Sequence, residues 1–391
     1  MVGMKLYDTA KKDYVNFEPS DPVSIYVCGI TPYDSAHLGH IFTFMTYDLL
    51  QRRLEDLGHT VHLVRNITDV DEPIYVRAKE LGISYTELAE RETKSFDAIM
   101  VELNFRPLFA APKASDYINK MAMTVKQLLD SGFGYYVDND VYFDVSKCTD
   151  FEDFSGYSQR LLKGLSAMRG GDLDRAGKRQ PLDFLLWKSI SDSTDPAQWD
   201  SVVGRGRPGW HIECSVMSSE LLGLPIDIHG GDSDLIYPHH SAEIAQSQGM
   251  GLDTPAKYWV HVAPLLSDCE KMSKSLGNLV FAKDLLKDYR PPEIRLALMH
   301  YHHRIGGEWQ PGYLDEARKL LTAIDRTSTT ADSQTAKLMI EKVRTALDND
   351  LNNIEVIEAL NEFADSPKTS DKPNPDTVSI VKQTLTLLGL N

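Results

Sequence analysis

The sequence predicts an α/β fold in which a parallel sheet carries the functional site. The apolar, β-branched run VSIYVCGI at 23–30 is typical of a buried strand, and TVHLVRNIT at 60–68 is typical of a second one. Between them, residues 41–59 have the spacing of an amphipathic helix, which we expect to end at Gly58. Strand, helix and strand within about 45 residues form a βαβ unit, and such a unit favours a parallel sheet.

The remaining elements predict a sheet domain over 1–310 and a small helical domain over 311–391. We expect an α+β insertion from about 71 to 200, where a helical segment precedes two short aromatic strands, GYYV and VYFDV. A glycine-rich, charged loop follows at 168–180. The α/β pattern then resumes with the segments HIECSVMSSELLG, IDIHG, PHHSAEIAQSQG and KYWVHVAPLL. Polar breaks in the tail predict three short helices there.

The composition indicates a cytoplasmic protein of the size of an enzyme. A chain of 391 residues with 42% hydrophobic content can bury a large core, and it has neither an apolar run of about 18 residues nor an apolar leader. The four cysteines lie far apart, which in a reducing compartment favours metal binding over disulfides. A formal charge of −16 argues against a nucleic-acid partner, although an acidic chain can still contain a basic groove.

Two short motifs predict anion binding. HLGH, at 37–40, lies where the first strand gives way to the first helix, and a helix start attracts anions. Gly39 lets a phosphate or adenine approach the backbone, and His37 and His40 can donate hydrogen bonds to it. By itself this motif is more often a capped loop with two solvent-exposed histidines. KMSKS, at 271–275, is equally typical of a solvated, charged loop when it is considered alone.

Together, the two motifs resemble the ATP-binding motifs of the class I aminoacyl-tRNA synthetases. That resemblance implies a Rossmann-like catalytic domain that uses ATP with Mg²⁺. In that family the first motif holds ATP, which implies a catalytic role for His37 and His40. The second motif stabilises the triphosphate, so Lys274, with Lys271, would neutralise the charge that develops on pyrophosphate.

A metal site is predicted around YPHHSAEIAQS, at 237–247. His239 and Glu243 stand four residues apart, so a helix that begins near Pro238 presents both side chains on one face. Imidazole, carboxylate and thiolate are all zinc ligands. Cys28, at the end of the first strand, and Cys214, on another helix, join them only if the fold brings them together. The spacing alone favours an ordinary surface helix.

Five longer stretches resemble, in order, the motifs of the cysteinyl-tRNA synthetase superfamily: CGITPYDSAHLGH, RNITDVDEP, GRPGWHIECS, HGGDSDLIYPHH and EKMSKSLGN. The resemblance implies that one zinc ion, held by Cys28, Cys214, His239 and Glu243, binds the side chain of a cysteine substrate. Selection through a metal–sulfur bond would exceed what pocket shape provides, since one methylene is worth only about 1–3 kcal/mol.

The same resemblance implies which residues surround the adenylate. Trp210 would form one wall of the pocket for the side chain of the cysteine substrate. Asp234 with Thr68 would bind the ammonium group of that substrate. Taken singly, these residues are more often a core aromatic, a turn aspartate and a strand-end threonine. The other residues that it assigns to the nucleotide or adenylate are Gly29, Thr31, Gly39, Thr43, Asn66, Asp232, Ser233 and Leu265.

Two branches of the superfamily differ in the acceptor of cysteine, which is tRNA in the synthetase and the amine of glucosaminyl-inositol in the mycothiol-pathway ligase. Only 116 residues follow Ser275, and residues 311–391 hold nine Lys or Arg against thirteen Asp or Glu, which does not suit an anticodon-binding domain. MRGGDLDRAGKRQPLD also resembles the ERGGDP signature of the ligase. We therefore expect L-cysteine, ATP and the aminosugar-inositol as partners, with no tRNA, no membrane contact and a monomeric state.

Departures from the ligase pattern keep a truncated cysteinyl-tRNA synthetase as the alternative. Met168 and Leu173 replace the two ends of the signature, Asp232 stands where a third glycine is usual, and Glu243 is a feature of the synthetase. A degenerate relative that binds ligands without catalysis is a further alternative. Loss of a KMSKS lysine or a zinc ligand would indicate it, and the sequence retains both.

Overall fold

A computed structural model describes residues 3–148, 151–272, 276–369 and 372–391. A hairpin of β1 (Lys5–Asp8) and β2 (Asp13–Asn16) precedes the predicted βαβ unit, which consists of β3 (Val23–Ile30), α1 (Leu38–Asp56) and β4 (Val61–Ile67). Both strands agree with the prediction. The helix ends slightly early, with Leu57 as its cap and Gly58 next at φ +96°, because glycine adopts this backbone angle without a Cβ clash.

The next segment forms an antiparallel sheet with helices around it. Its helices are α2 (Glu72–Leu81), α3 (Tyr85–Glu102), α4 (Ile118–Asp130) and α5 (Gln159–Met168). Its strands are β5 (Gly134–Val137), β6 (Asp140–Phe143), β7 (Phe184–Ser189) and β8 (Gly206–Pro208), paired in that order. The predicted α+β insertion is therefore present, and its sheet continues past residue 200 to Pro208. The glycine-rich loop connects α5 to β7.

The chain then returns to the parallel sheet through α6 (Trp210–Leu222), β9 (Ile226–Asp232), α7 (Ser241–Gly249) and β10 (Ala256–Val262). The strand order is β10–β9–β3–β4, and every neighbouring pair is parallel. The predicted α/β class is confirmed. Because parallel strands end at the same edge of the sheet, residues that follow β3, β4 and β9 converge there.

The start of α7 lies close to its predicted position. Tyr237 has extended backbone angles, φ −141° and ψ 135°, which are usual for the residue that precedes a helix. It is the one residue of the wide turn Ile236–His240 that departs from helical angles, and the regular α-helix follows at Ser241. His239 lies in the turn and Glu243 in the first turn of the helix. Their side chains approach each other, with His239 Nε2 3.2 Å from Glu243 Oε1.

The segment after the sheet contains β11 (Leu265–Ser267), β12 (Glu270–Lys271), α8 (Ala282–Leu285), α9 (Pro291–Leu298) and β13 (Gly307–Glu308). The tail forms α10 (Gly312–Ser328), α11 (Ser333–Asp348), α12 (Asn353–Ala364) and α13 (Pro375–Leu388). The expectation of three helices was therefore wrong, since the described part of the tail has four. The missed break follows α11, where Asp350 and Leu351 have positive φ angles of 57° and 51°, which a helix does not tolerate.

The tail helices pack against the sheet domain in one continuous apolar core, which includes residues of β3, α1 and all four tail helices. A buried ion cluster joins the same elements. Arg295, which is fully buried, donates to Asp48 Oδ2 at 2.5 Å and to the carbonyl of Leu388 at 3.1 Å. Asp48 also accepts from Arg52 at 2.8 Å. Within the described ranges, no helix combines the length and apolar character that crossing a membrane requires.

Candidate active site

An open cleft of about 720 Å³ lies at the carboxyl edge of the parallel sheet. The loops after β3, β4 and β9 form its walls, together with the segment around β12. The structure brings many of the predicted site residues to this cleft. Those that line it are Cys28, Gly29, Thr31, His37, His40, Thr43, Trp210, Asp232, Asp234 and Lys271.

The HLGH motif begins α1 at one wall of the cleft. His37 is the N-cap, and its Nδ1 accepts a hydrogen bond from the Gly39 N–H at 3.1 Å, so the neutral ring carries its proton on Nε2. The rings of His37 and His40 stack at 3.8 Å. Burial, with a contribution from Lys271, lowers the pKa of His37 to about 4. Burial also lowers the pKa of His40 well below its usual range, so both rings are neutral N–H donors.

Glycine is required at position 39 because the ring of His37 lies close to its Cα atom. A Cβ atom at this position would lie 2.9 Å from two atoms of the His37 ring. Any larger residue would displace the ring or its hydrogen bond to the backbone. Gly29 is more restricted still, because a Cβ there would lie 1.6 Å from the carbonyl oxygen of Asn66.

The first lysine of KMSKS lies between two carboxylates. Lys271 Nζ is 3.0 Å from Oδ2 of Asp232 and 3.0 Å from Oδ2 of Asp234. Asp234 also accepts from Arg169. Burial alone would raise the pKa of Asp234, but Lys271 and Arg169 outweigh it and lower that pKa. Burial and the neighbouring Asp234 raise the pKa of Asp232, with Lys271 opposing them. Lys274, the other predicted catalytic lysine, lies outside the described residues.

The predicted metal ligands meet beneath the cleft. The sulfur atoms of Cys28 and Cys214 are 3.6 Å apart, and Cys28 Sγ is 3.9 Å from Glu243 Oε1. One ligand atom from each of Cys28, Cys214, His239 and Glu243 lies within 4.8 Å of the others, and all four side chains are buried. Residues that are up to 215 positions apart in the chain therefore form one compact cluster.

His239 has the orientation of a ligand. Its Nδ1 lies 3.0 Å from Nδ1 of His211, so this contact uses one ring nitrogen. Its Nε2 is buried and lies 3.2 Å from Glu243 Oε1, but it forms no well-aligned hydrogen bond with any described residue. A ligating histidine usually engages its second ring nitrogen with a neighbouring group, which fixes the ring. Burial lowers the pKa of His239 well below its usual range, which keeps the imidazole in the neutral form.

A second set of four groups shares Cys28 and Glu243 with the first. It adds His229 and His240 in place of Cys214 and His239. His229 Nε2 lies 2.9 Å from Glu243 Oε2, and His240 Nε2 lies 3.3 Å from Cys28 Sγ. His240 Nδ1 in turn contacts His261 Nε2 at 2.7 Å. None of these three histidines lines the cleft, and their contacts hold Glu243 and Cys28 in place.

Other predicted residues lie behind the cleft wall. Asn66 Oδ1 accepts from the Gly29 N–H at 2.8 Å, and its Nδ2 donates to Thr68 Oγ1 at 3.1 Å. These contacts fix the ends of β3 and β4 against each other. Ser233 follows β9 between the two cleft aspartates. Leu265 is buried in β11, opposite Gly307 of β13, and does not line the cleft.

A second cavity, of about 360 Å³, adjoins the cleft. The glycine-rich loop forms one side, with Arg169, Asp172, Arg175 and Lys178, and β7 and β8 form the other. Arg175 and Lys178 order the loop, because Arg175 donates to Asp140 at 2.6 Å and Lys178 donates to the carbonyl of Asp172 at 2.8 Å. The residues that line both cavities are Asp71, Glu72, Arg169 and Trp210.

Sequence reasoning missed several groups at the site. His211 and His261 lie in separate segments, and no spacing in the sequence relates either of them to His239 or His240. His240 contacts Cys28 and His261, so it supports the cluster from a position next to His239 in the chain. Asp71 was not singled out, although the DVDEP stretch that contains it was quoted.

Comparisons with known proteins agree with this geometry. The family model for the class I (C) tRNA synthetase catalytic domain matches residues 15–319. Methionyl-tRNA synthetase of Mycobacterium tuberculosis, solved with methionyl-adenylate, has the same fold, with a TM-score of 0.68 at 15% identity, covering 94% of this chain and 90% of that one. The chain is thus a member of the class I (C) tRNA synthetase catalytic-domain family.

Curated relatives identify the branch. An L-cysteine:1D-myo-inositol 2-amino-2-deoxy-α-D-glucopyranoside ligase of Thermobifida fusca is 40% identical over 99% of this chain and 94% of its own length. The ligase of the same name from Streptosporangium roseum is 38% identical over 99% of this chain and 95% of its own length. The chain belongs to the family of these cysteine ligases.

Proposed function

We propose that the protein activates L-cysteine with ATP and joins it to the amine of 1D-myo-inositol 2-amino-2-deoxy-α-D-glucopyranoside. The observation that carries this proposal is the near full-length similarity, at 38–40% identity, to ligases named for this reaction. The family relationship and the cleft geometry support the same chemistry. The products are the amide, AMP and pyrophosphate.

The buried cluster of Cys28, Cys214, His239 and Glu243 fits a zinc ion. Two thiols, one imidazole nitrogen that forms no well-aligned hydrogen bond and one carboxylate are donors that zinc accepts. A zinc ion held there would supply a soft Lewis acid for the sulfur of the substrate. Cys28 also lines the cleft, so the cluster is within reach of a substrate that binds in the cleft. Serine and alanine lack the sulfur that such a site selects.

The amino acid is oriented by groups beside this cluster. Trp210 stacks on the ring of His239 at 4.3 Å and lines the cleft, where it can form one wall of the pocket for the cysteine side chain. Asp234 and Asp232 supply negative charge for the ammonium group. The ammonium of Lys271 lies between these carboxylates, which indicates that the position accepts a primary ammonium.

ATP with Mg²⁺ occupies the part of the cleft next to the HLGH motif. The neutral rings of His37 and His40 donate hydrogen bonds to the nucleotide without a charge of their own. Lys271 and Lys274 neutralise the charge that develops as the cysteine carboxylate attacks the α-phosphorus and pyrophosphate leaves. The protein acts here through positioning and charge stabilisation.

The acceptor approaches through the second cavity. That cavity opens onto the cleft at Asp71, Glu72, Arg169 and Trp210, and its wall of alternating charges and aromatic rings suits a polyol. The amine nitrogen then attacks the carbonyl carbon of the adenylate, and AMP leaves. The tail helices pack on α1 in the same apolar core as the sheet, and this packing supports a small-molecule acceptor.

Acceptor competition tests the proposal. The protein is incubated with cysteine and ATP, and with either the aminosugar-inositol or cysteine tRNA, and the product is identified by mass spectrometry. We expect the amide and AMP with the sugar and no charged tRNA. Charged tRNA without the amide would establish the alternative, a truncated cysteinyl-tRNA synthetase.

A further inference from the structure

Asp71 lies at the boundary between the two cavities. It is the N-cap of α2, and its Oδ1 accepts the backbone N–H of Glu72 at 2.9 Å. Its carboxylate also accepts a hydrogen bond from the side chain of Thr31. Thr31 lines the cleft, so Asp71 is one hydrogen bond away from the adenylate side. Asp71 also lines the second cavity, from which the acceptor approaches.

The other acidic groups near the junction are engaged by cations. Asp234 pairs with Lys271 and Arg169, and Asp232 pairs with Lys271. Asp232 lines only the cleft and not the second cavity. Glu72 lines both cavities, but it accepts from Arg207 at 2.8 Å. In contrast, no lysine or arginine of the described ranges forms an ion pair with Asp71. His229 is fully buried against Glu243 and does not reach either cavity.

The protonation equilibrium of Asp71 suits proton transfer near neutral pH. Burial raises its pKa to about 6, and the negative charge of Glu72 adds to this. Hydrogen bonds from the Glu72 N–H and from Thr31, with the charge of Arg207, act in the opposite direction. Glu213 and Tyr75 also face this carboxylate from α6 and α2. A catalytic base works best when its pKa lies close to the working pH.

We infer that Asp71 is the general base of the amine-transfer step, an inference that rests on the proposed function. The acceptor enters as the neutral amine, having left its first proton in solvent. Its nitrogen lone pair forms the N–C bond at the carbonyl carbon of cysteinyl-adenylate. The C–O bond to phosphate breaks, and AMP leaves with that electron pair. The remaining excess proton on nitrogen passes to the Asp71 carboxylate and then to solvent.

Asp71→Asn separates this role from a structural one. Asparagine caps a helix as well as aspartate does, so α2 keeps its N-cap and the fold is retained. We expect cysteine-dependent ATP–pyrophosphate exchange at the wild-type rate. In single-turnover transfer from preformed cysteinyl-adenylate, we expect the rate to fall by about 100-fold or more, which is the usual contribution of a general base. Glu80→Gln, which removes one charge at the exposed end of the same helix, is the matched control and keeps both rates.

The pH profile provides the second readout. Protonation of the acceptor amine lowers the transfer rate of every variant as pH decreases. In the wild type a second, steeper fall should appear through about pH 6, because the carboxylate becomes protonated as well. Asp71→Asn should keep only the first fall, whereas Asp71→Glu should retain both and recover part of the rate. Wild-type transfer by Asp71→Asn, or equal loss of exchange and transfer, would overturn the assignment. If the wild type itself lacks exchange, the proposed function fails, and the base assignment fails with it.

Discussion

Lys271 Nζ lies 3.0 Å from Oδ2 of Asp232. The same ammonium is 3.0 Å from Asp234. Lys271 must leave these carboxylates if it is to meet the phosphates of ATP. Its side chain is 43% exposed and that of Asp232 is 26% exposed, so water screens the pair and the attraction is modest.

Asp232→Asn should therefore make ATP binding easier. The substitution keeps the shape of the side chain and removes one of the two charges that hold Lys271. Because a partly exposed pair contributes about 0.2–1 kcal/mol, we expect the KM for ATP in the exchange reaction to fall by up to about fivefold. Asp268→Asn, an exposed change of equal charge in the adjacent turn, serves as the control. A higher KM for ATP in Asp232→Asn would show that Asp232 contributes to nucleotide binding instead.

Cys214→Ser should remove the metal and cysteine activation together. The Cys28 and Cys214 sulfurs are 3.6 Å apart in a buried cluster, and a hydroxyl is a far weaker zinc ligand than a thiolate. We expect elemental analysis to show about one zinc per chain in the wild type and almost none in the variant, with loss of cysteine-dependent exchange. Cys148→Ser, whose sulfur lies outside the cluster, should keep both. Full exchange in a zinc-free Cys214→Ser protein would refute the metal assignment.

Local signals were sufficient for the sheet and for the nucleotide motif. Strands β3 and β4 and helix α1 follow from the apolar periodicity of 23–68, and a helix start after a parallel strand places HLGH at the sheet edge. The break after α11 was missed because NDLNN contains neither glycine nor proline, and its turn depends on the positive φ angles of Asp350 and Leu351.

The sequence did not predict which residues that are distant in the chain lie close together in the folded protein. Cys28 and Cys214 are 186 residues apart, and only the family resemblance paired them before the structure did. The contact between His211 and His239 depends on how α6 packs on the sheet, and the position of Asp71 between two cavities depends on where α2 begins after β4. No periodicity or spacing encodes such relationships, so they could not be predicted.

Asp48→Asn should destabilise the junction between α1 and the tail. Asp48 neutralises Arg295 and Arg52, and the side chains of all three are at most 3% exposed. Removing the charge leaves two buried guanidinium groups without a counterion, which typically costs about 3–5 kcal/mol. Urea denaturation should show a loss of this size in the free energy of unfolding. Asp130→Asn, which disrupts an exposed pair with Lys126, should change it by less than about 1 kcal/mol. Equal stability of the two variants would mean that the buried cluster tolerates an unpaired arginine.

His303 should make the fold sensitive to mild acid. Its ring is fully buried, and both ring nitrogens lack a hydrogen-bond partner among the described residues. Burial lowers its pKa well below the usual range, and the adjacent His302 and Arg304 add to this, while Asp350 also faces the ring at 3.8 Å. Because the folded-state pKa lies below the unfolded value of about 6.5, the unfolded chain binds the extra proton first.

The contribution of His303 to the pH dependence therefore has a definite sign. It is absent above about pH 6.5, and below that value each pH unit costs up to about 1.4 kcal/mol of stability. Urea denaturation of the metal-loaded wild type at about pH 7 and about pH 5 should show this loss. His303→Gln, which cannot be protonated, should lose correspondingly less over the same interval, even if its stability at about pH 7 is already lower. Parallel pH dependences in the two proteins would show that the ring is not protonated on unfolding in this range, contrary to the burial and missing partners found here.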